Sequence, residues 1–242
     1  MTDWKKIPPC RWLDTEQQII ECVKYISTKP EVSYDTESSG LDLTKDYPLM
    51  FSLSDGVERF GAMADVLHHS VMKNYLETVP RLIGSNLPID IHWAANVGIN
   101  ITADIWNSVT MDWLYDENRE GRHGLKDCAL DYCGLQMRDF KEVFPFQRAT
   151  KTHAADTAKD AILRKISTPE GLTDAKQYAG LDPYANWHVA DYLKKKLQSI
   201  DCYPPTYNSN GTVNRWTLWD YYLAIEVPFA RVLYNLERRG IA

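Results

Sequence analysis

Long apolar runs are missing from this 242-residue chain, and no stretch reaches the roughly 18 residues that a membrane span needs. The opening Met1-Thr2-Asp3-Trp4-Lys5-Lys6 lacks the apolar core of a signal peptide. The expected compartment is therefore the cytoplasm, with no membrane partner. Cysteine is scarce. Cys10, Cys22, Cys128, Cys133 and Cys202 are odd in number and scattered, and the step from 128 to 133 fits neither zinc nor redox-motif spacing. Free thiols in a reducing compartment are the expectation. Positive charge is in deficit: 27 Lys and Arg against 33 Asp and Glu give a net charge of −6. That argues against a protein that grips duplexes by neutralising phosphates. It suits an enzyme that chelates cations with carboxylates and meets only a strand end. Internal repeats and low-complexity tracts are absent too. What remains is ordinary globular material, 44% hydrophobic with eight Trp and fourteen Tyr, enough for one large domain or one domain with an appendage.

Along the chain, Asp14-Thr15-Glu16-Gln17 reads as a capping box before a helix with Ile19, Cys22, Val23 and Ile26 on its apolar face, stopped at Lys29-Pro30. Val32 to Glu37 alternates as a strand. Leu49–Ser54 and Val57–Met63 read as two more, joined by a hairpin at Asp55-Gly56. Residues 65–79 are expected to be helical and Arg81–Gly84 a short buried strand. Pro88 suits the first residue of a helix running to about Val97. More helix is expected over 109–134, broken near His123-Gly124. Residues 136–169 read as a loop with one helix around 154–166. Their cations, Arg138, Lys141, Arg148, Lys151, Lys159, Arg164 and Lys165, read as a solvated face rather than a phosphate guide. A helix from about Thr173 should continue past Pro183 towards Leu197, with a kink or break where proline removes a hydrogen bond and crowds the carbonyl of Ala179. Tyr203–Gly211 reads as a linker. Leu218–Arg239 reads as a final helix carrying Ile225, Phe229, Val232 and Leu236 on one stripe. Strands first and helices afterwards, with one early hairpin, imply an α/β fold with a mixed sheet.

Three short patterns carry chemistry. Asp35-Thr36-Glu37 on a strand sends both carboxylates to one face, where mutual repulsion invites a divalent cation. The same tripeptide at 14–16 falls on a helix start, where it is only a cap. Asp90 falls in the first turn of a helix, where it binds metal or simply complements the helix dipole. Tyr178 and Asp182 stand four apart, on one helical face, as a surface hydrogen bond or as part of a site.

Asp-x-Glu, then Asn86-x-x-x-Asp90, then Tyr178-x-x-x-Asp182, in this order, resemble the three exonuclease motifs of the DEDD superfamily. Tyr34–Asp42, Gly84–Ile99 and Gly121–Ala129 are similar to the segments flanking them. No histidine has Asp five positions on, so the resemblance is to the tyrosine branch, which holds polymerase I proofreading domains and RNase D-like enzymes. Tyr222–Ala242 resembles the junction at which family A DNA polymerases of the phage-like type pass from exonuclease to polymerase domain. The resemblance implies a ribonuclease H-like mixed central sheet flanked by helices over residues 1–202. It also implies a linker and helical extension over 203–242, leading to a polymerase domain absent from this chain. It implies two divalent ions, Mg²⁺ or Mn²⁺, held by Asp35, Glu37, Asp90 and Asp182. Tyr178 would orient the attacking water, and hydrolysis would release nucleoside 5′-monophosphates from the 3′ end of single-stranded DNA. Leu41 matches a leucine that wedges against the terminal base, against the alternative of core packing, and Asn86 matches an amide near the strand. A monomer is expected, with a polymerase domain in cis or on a separate chain.

Three departures stand out. Pro183 replaces a small helix former, Val109-Thr110-Met111 replaces an Asp-Thr-x pattern, and the Phe/Pro-rich stretch between the second and third motifs aligns with nothing. The competing readings are an inactive exonuclease-like scaffold and an RNase D-like RNA trimmer. The carboxylates alone cannot tell DNA from RNA, because that distinction lies in contacts to the 2′ position.

Overall fold

The structure is a computed structural model that describes residues 2–3, 7, 9–149, 155–203, 206–207 and 213–240. The chain begins with β1 (Thr2–Asp3), β2 (Arg11–Trp12), α1 (Glu16–Ile26), β3 (Val32–Ser38), β4 (Pro48–Ser54) and β5 (Arg59–Met63). Next come α2 (Ser70–Thr78), β6 (Arg81–Gly84), α3 (Leu87–Asn96), β7 (Asp104–Asn107), α4 (Ser108–Tyr115) and α5 (Leu125–Cys133). Then follow β8 (Leu135–Gln136), α6 (Phe140–Val143), α7 (Ala158–Ile166), α8 (Pro169–Ala179) and α9 (Leu181–Ser199). The chain ends with β9 (Thr206–Tyr207), β10 (Val213–Asn214), α10 (Leu218–Tyr221) and α11 (Val227–Arg238).

Six strands form the central sheet in the order β2-β5-β4-β3-β6-β7. β4 runs antiparallel to both β3 and β5, and the remaining neighbours are parallel. This is the mixed sheet flanked by helices that the pattern of elements implied. β3 sits centrally and is apolar or small on both faces, with Val32, Ser33 and Tyr34 all buried. One core lies under α1, α2 and α3, built on Ile19, Ile26, Leu53, Leu76 and Ile91. A second lies under α4, α5 and α9, built on Trp106, Met111, Val189 and Leu193, and a third joins Met50 to Phe144, Ile162, Ala175 and Tyr178.

Several boundaries move for local reasons. Thr15 caps α1, accepting from Gln18 N while Gln18 Oε1 accepts from Thr15 N at 3.0 Å. The β4–β5 turn spans four residues, because Asp55 Oδ1 accepts from the amides of Val57 (3.0 Å) and Glu58 (2.8 Å) and delays the second strand to Arg59. The helix expected over 65–79 divides at His69, whose extended ψ separates a 3₁₀ turn at Ala64–His68 from α2. The helix expected over 109–134 is interrupted for nine residues, not at one dipeptide. Two strands of the central sheet escaped the sequence reading, β2 and β7, both too short to show alternation, as did the two-residue strands outside it. The helix around 154–166 is α7, and position 154 lies outside the described residues, as do 204–205 and 208–211 of the expected linker.

From Leu218 to Arg238 the path is helical, loosened into a π-turn at Tyr222–Glu226. The stripe of Ile225, Phe229 and Val232 faces outward, and Tyr222, Val227 and Tyr234 take the buried side. Arg231 fixes this orientation by donating to the carbonyls of Ile101 (3.1 Å) and Ala103, beside β7. Among the described residues, no helix is long and apolar enough to cross a membrane.

Candidate active site

Pairing of β3 with β4 sets Asp35 opposite Ser52 and Glu37 opposite Met50, so the two acids share one face of the sheet. α9 lies over that face and delivers Asp182. One ligand oxygen from each of Asp35, Glu37 and Asp182 lies within 4.8 Å of the others. Asp90 approaches from the first turn of α3. β6 pairs with β3 only at Val32 and Ser33, so the strand edge beyond is open. Asp90 Oδ1 occupies it, accepting from Thr36 N at 3.0 Å and Thr36 Oγ1 at 2.6 Å.

Four acids this close are costly without cations. Burial comes first, and the charges of Asp90, Asp182 and Glu37 add to it, pushing Asp35 well above the usual carboxylate range. Glu37 is raised likewise, by burial and then by Asp182 and Asp90. Burial raises Asp90 to about 7 against the lowering effect of its Thr36 hydrogen bonds. It raises Asp182 to about 6, with Lys126 opposing. Asp182 Oδ1 is buried and finds no hydrogen-bond donor among the described residues. Converging carboxylate oxygens with a spare acceptor fit a hard divalent cation.

Tyr178 and Asp182 come from two helices rather than one. α8 ends at Ala179, whose carbonyl accepts from Ser52 Oγ at 2.6 Å, and α9 starts at Leu181. The break falls at Gly180, where a Cβ would approach Cys10 Sγ to 2.6 Å. Pro183 therefore sits in the first turn of α9, where no intrahelical donor is required of it. The expected break exists, three residues earlier than proline alone implied. Tyr178 is held edge-on against Phe144 at 5.5 Å between ring centres. Its hydroxyl pKa is pushed up by burial and by the charges of Asp182, Glu37 and Asp35, which places it among the acids.

One turn beyond Asp182, Asn186 anchors α9. In the amide orientation that satisfies both its ends, it donates to Ser108 Oγ at 2.6 Å and accepts from Ser85 N at 2.8 Å. This buried bridge joins the helix carrying Asp182 to the end of β6 and the start of α4.

Beside the acids lies a groove of about 340 Å³ lined by Glu37, Leu41, Trp93, Phe140, Lys141 and Phe146, among others. Leu41 is 83% exposed at its edge, so core packing does not account for it. Asn86 stands apart from the groove. It is exposed, adopts a left-handed conformation at the start of α3 (φ 60°), and borders a different cleft with Phe229 and Leu233. Trp93, Phe140 and Phe146 were missed in the sequence. For Phe140 and Phe146, aromatics beside Lys141 in an aperiodic stretch were the available signal.

Residues 10–198 match a sequence family described as 3′-5′ exonuclease. No curated protein sequence matches the chain. Among solved structures, Brucella melitensis NrnC is similar at a TM-score of 0.65 and 13% identity, over 96% of this chain and 94% of that one. Escherichia coli RNase D is similar at 0.59 and 13% identity, over 79% of this chain and 46% of that one. A structure of Pol1 from M. smegmatis gives 0.55 and 12% identity, over 78% of this chain and 28% of that one. At such identities the likeness is one of fold. The family match is of another kind, since it spans most of the chain and contains β3, α3 and the α8–α9 junction with their acids: this protein belongs to the 3′–5′ exonuclease family.

Proposed function

We propose that the protein hydrolyses the 3′-terminal phosphodiester of single-stranded DNA and releases nucleoside 5′-monophosphates. The observation that carries this reading is the convergence of Asp35, Glu37 and Asp182 beside a groove with aromatic walls that Glu37 itself lines. Asp35, Glu37 and Asp182 would hold one divalent ion, Mg²⁺ or Mn²⁺, and Asp35 with Asp90 a second. Such ions would neutralise the carboxylates, acidify water and offset charge developing at phosphorus. Brucella melitensis NrnC has been solved with bound Mg²⁺, which supports this assignment. Glu37 and the Tyr178 hydroxyl would orient the attacking water. Leu41 would press on the terminal base, and Phe140 and Phe146 offer ring faces on which unpaired bases stack. Asn86, away from the groove, would touch the strand only further from its end. The groove's volume lies in the range of small-ligand clefts, and it accepts a frayed end more readily than a duplex.

A proofreading role beside a polymerase domain, in cis or on a separate chain, rests on the likeness of Tyr222–Ala242 to a polymerase junction. The outward stripe of Ile225, Phe229 and Val232 would face that domain. RNA trimming is the second reading, and it is favoured by the fold likeness to RNase D and to the catalytic core of RRP6 from Trypanosoma brucei. Digestion of 5′-labelled DNA and RNA oligonucleotides with Mg²⁺ or Mn²⁺ tests both. A ladder shortening from the 3′ end of DNA, absent with EDTA and in Asp35→Ala/Glu37→Ala, is the expected result. Preference for RNA would overturn the DNA reading. Folded protein that cleaves neither strand would point to a scaffold.

A further inference from the structure

A substrate phosphodiester brings one more negative charge to four carboxylates, so the cations around the groove matter. Those of the neighbouring segment are largely committed elsewhere. Arg138 and Lys165 pair with Asp174, Arg164 with Asp156, and Lys159 with the Tyr47 hydroxyl. Lys126 differs. It stands in the first turn of α5, where the helix dipole disfavours a positive charge, so helix stability gives no reason for it. Its ammonium donates to Asp139 Oδ1 at 2.6 Å, across to the residue that caps α6. Lys126 and Asp139 line a hollow of about 480 Å³ with Phe140 and Lys141, and those last two also line the groove holding Glu37. The two hollows thus share a wall. The Lys126 charge also reaches both Glu37 and Asp182, where it opposes their protonation.

We propose that Lys126 is a phosphate-binding residue that takes a backbone phosphate at the 3′ end of the bound strand, with Asp139 holding the ammonium ready and releasing it to the phosphate. This rests on the exonuclease reading above. The resting pair opens at little cost, because the side chains of Lys126 and Asp139 are 37% and 68% exposed and their attraction is screened by solvent. Lysine binds phosphate as a point charge, so an arginine in its place retains the attraction.

The test compares wild type with Lys126→Met, Lys126→Arg and Asp139→Asn, following kcat/KM for a single-stranded oligonucleotide across a salt series in Mg²⁺. Lys126→Met is expected to lose about 10- to 100-fold at low salt, as for loss of a charged hydrogen bond. It should also flatten the slope of log(kcat/KM) against log(salt) by about 0.7, the share of one single-strand phosphate contact. Lys126→Arg should restore most of both. Asp139→Asn, which frees the ammonium, should match or exceed wild type. A Lys126→Met protein with wild-type slope and rate overturns the proposal. So does an equal loss in Lys126→Met and Asp139→Asn with a lowered melting temperature, since the pair would then only brace α5 against α6. Active wild type accompanying either result confines the failure to Lys126, whereas wild type that cleaves no strand sinks the exonuclease reading as well.

Discussion

Two of the buried acidic centres among the described residues are treated oppositely. Asp112, on α4, is fully buried yet answered at every side. Arg119 Nη1 donates to both its oxygens at 2.7 and 2.9 Å, His123 Nδ1 lies 2.7 Å away, and the Tyr132 hydroxyl donates to it. Arg119 extends the network to Asp131 at 2.6 Å, so the interval between α4 and α5 is tied together by its own charges. Around Asp35, Glu37 and Asp182 no such provision exists. Carboxylates face carboxylates, Asp182 Oδ1 has no donor among the described residues, and Lys126 is already bonded to Asp139. The first arrangement is complete as folded. The second leaves its charges unanswered among the described residues and fits cations from outside, and on the reading proposed above that difference separates a structural acid from a functional one.

The largest expected break in this comparison is at the second centre. Asp35→Ala/Glu37→Ala should lower cleavage by ~10³-fold or more while leaving the fold intact, since it removes repulsion along with catalysis. Single-turnover rates and a melting curve in EDTA would show it, and a substantial drop in melting temperature would contradict it. At the first centre the opposite holds. Asp112→Ala strands Arg119 and His123 and should cost about 3–5 kcal/mol of stability, read by urea denaturation, with activity per folded molecule retained.

Proton and metal dependence sharpen the contrast further. Asp90 and Asp182, raised to about 7 and about 6 by burial, lie above their ordinary value of 3.8. Between those limits the metal-free folded protein binds more protons than the unfolded chain. The resulting stabilisation is full below that ordinary value and is lost as pH rises through 6 and 7. Metal-free protein should therefore melt at a lower temperature at pH 8 than this cluster allows at pH 5. Mg²⁺ or Mn²⁺ should restore the loss at pH 8 in wild type but not in Asp35→Ala/Glu37→Ala. The smallest expected effect is at the groove edge. Leu41→Ala should reduce kcat/KM by about 10-fold, the worth of one leucine contact, without moving the melting temperature.

Both centres left marks in the sequence, but unequal ones. Asp35-Thr36-Glu37 was legible because strand periodicity alone puts two carboxylates on one side, and a pair of like charges has few uses. Asp112 gave no signal, because its partners Arg119, His123 and Tyr132 are joined by a turn with no hydrophobic period. Tyr178 and Asp182 were paired by helical spacing, and the structure joins them across a helix break at Gly180. Local geometry at Pro183 was read as a disruption. It is the ordinary start of a new helix, and Cys10, far away in sequence, is packed against the break.

The outward turn of the Ile225–Val232 stripe was equally hidden, since a period says which residues share a face but not which face is covered. Arg231 and Tyr234 decide that through contacts with Ile101, Ala103 and His92. By itself the sequence determined the types of the longer elements and the mixed α/β class, because these follow from periodicity and side-chain chemistry within a few residues. Only the tertiary structure decided that Asp182 meets Asp35, that Phe140 and Phe146 wall the groove, and that Lys126 lines the hollow next to it. Those juxtapositions depend on how α9 packs on the sheet and how α5 and α6 pack on α9 and α8, and packing is settled by shape and burial summed over the whole chain.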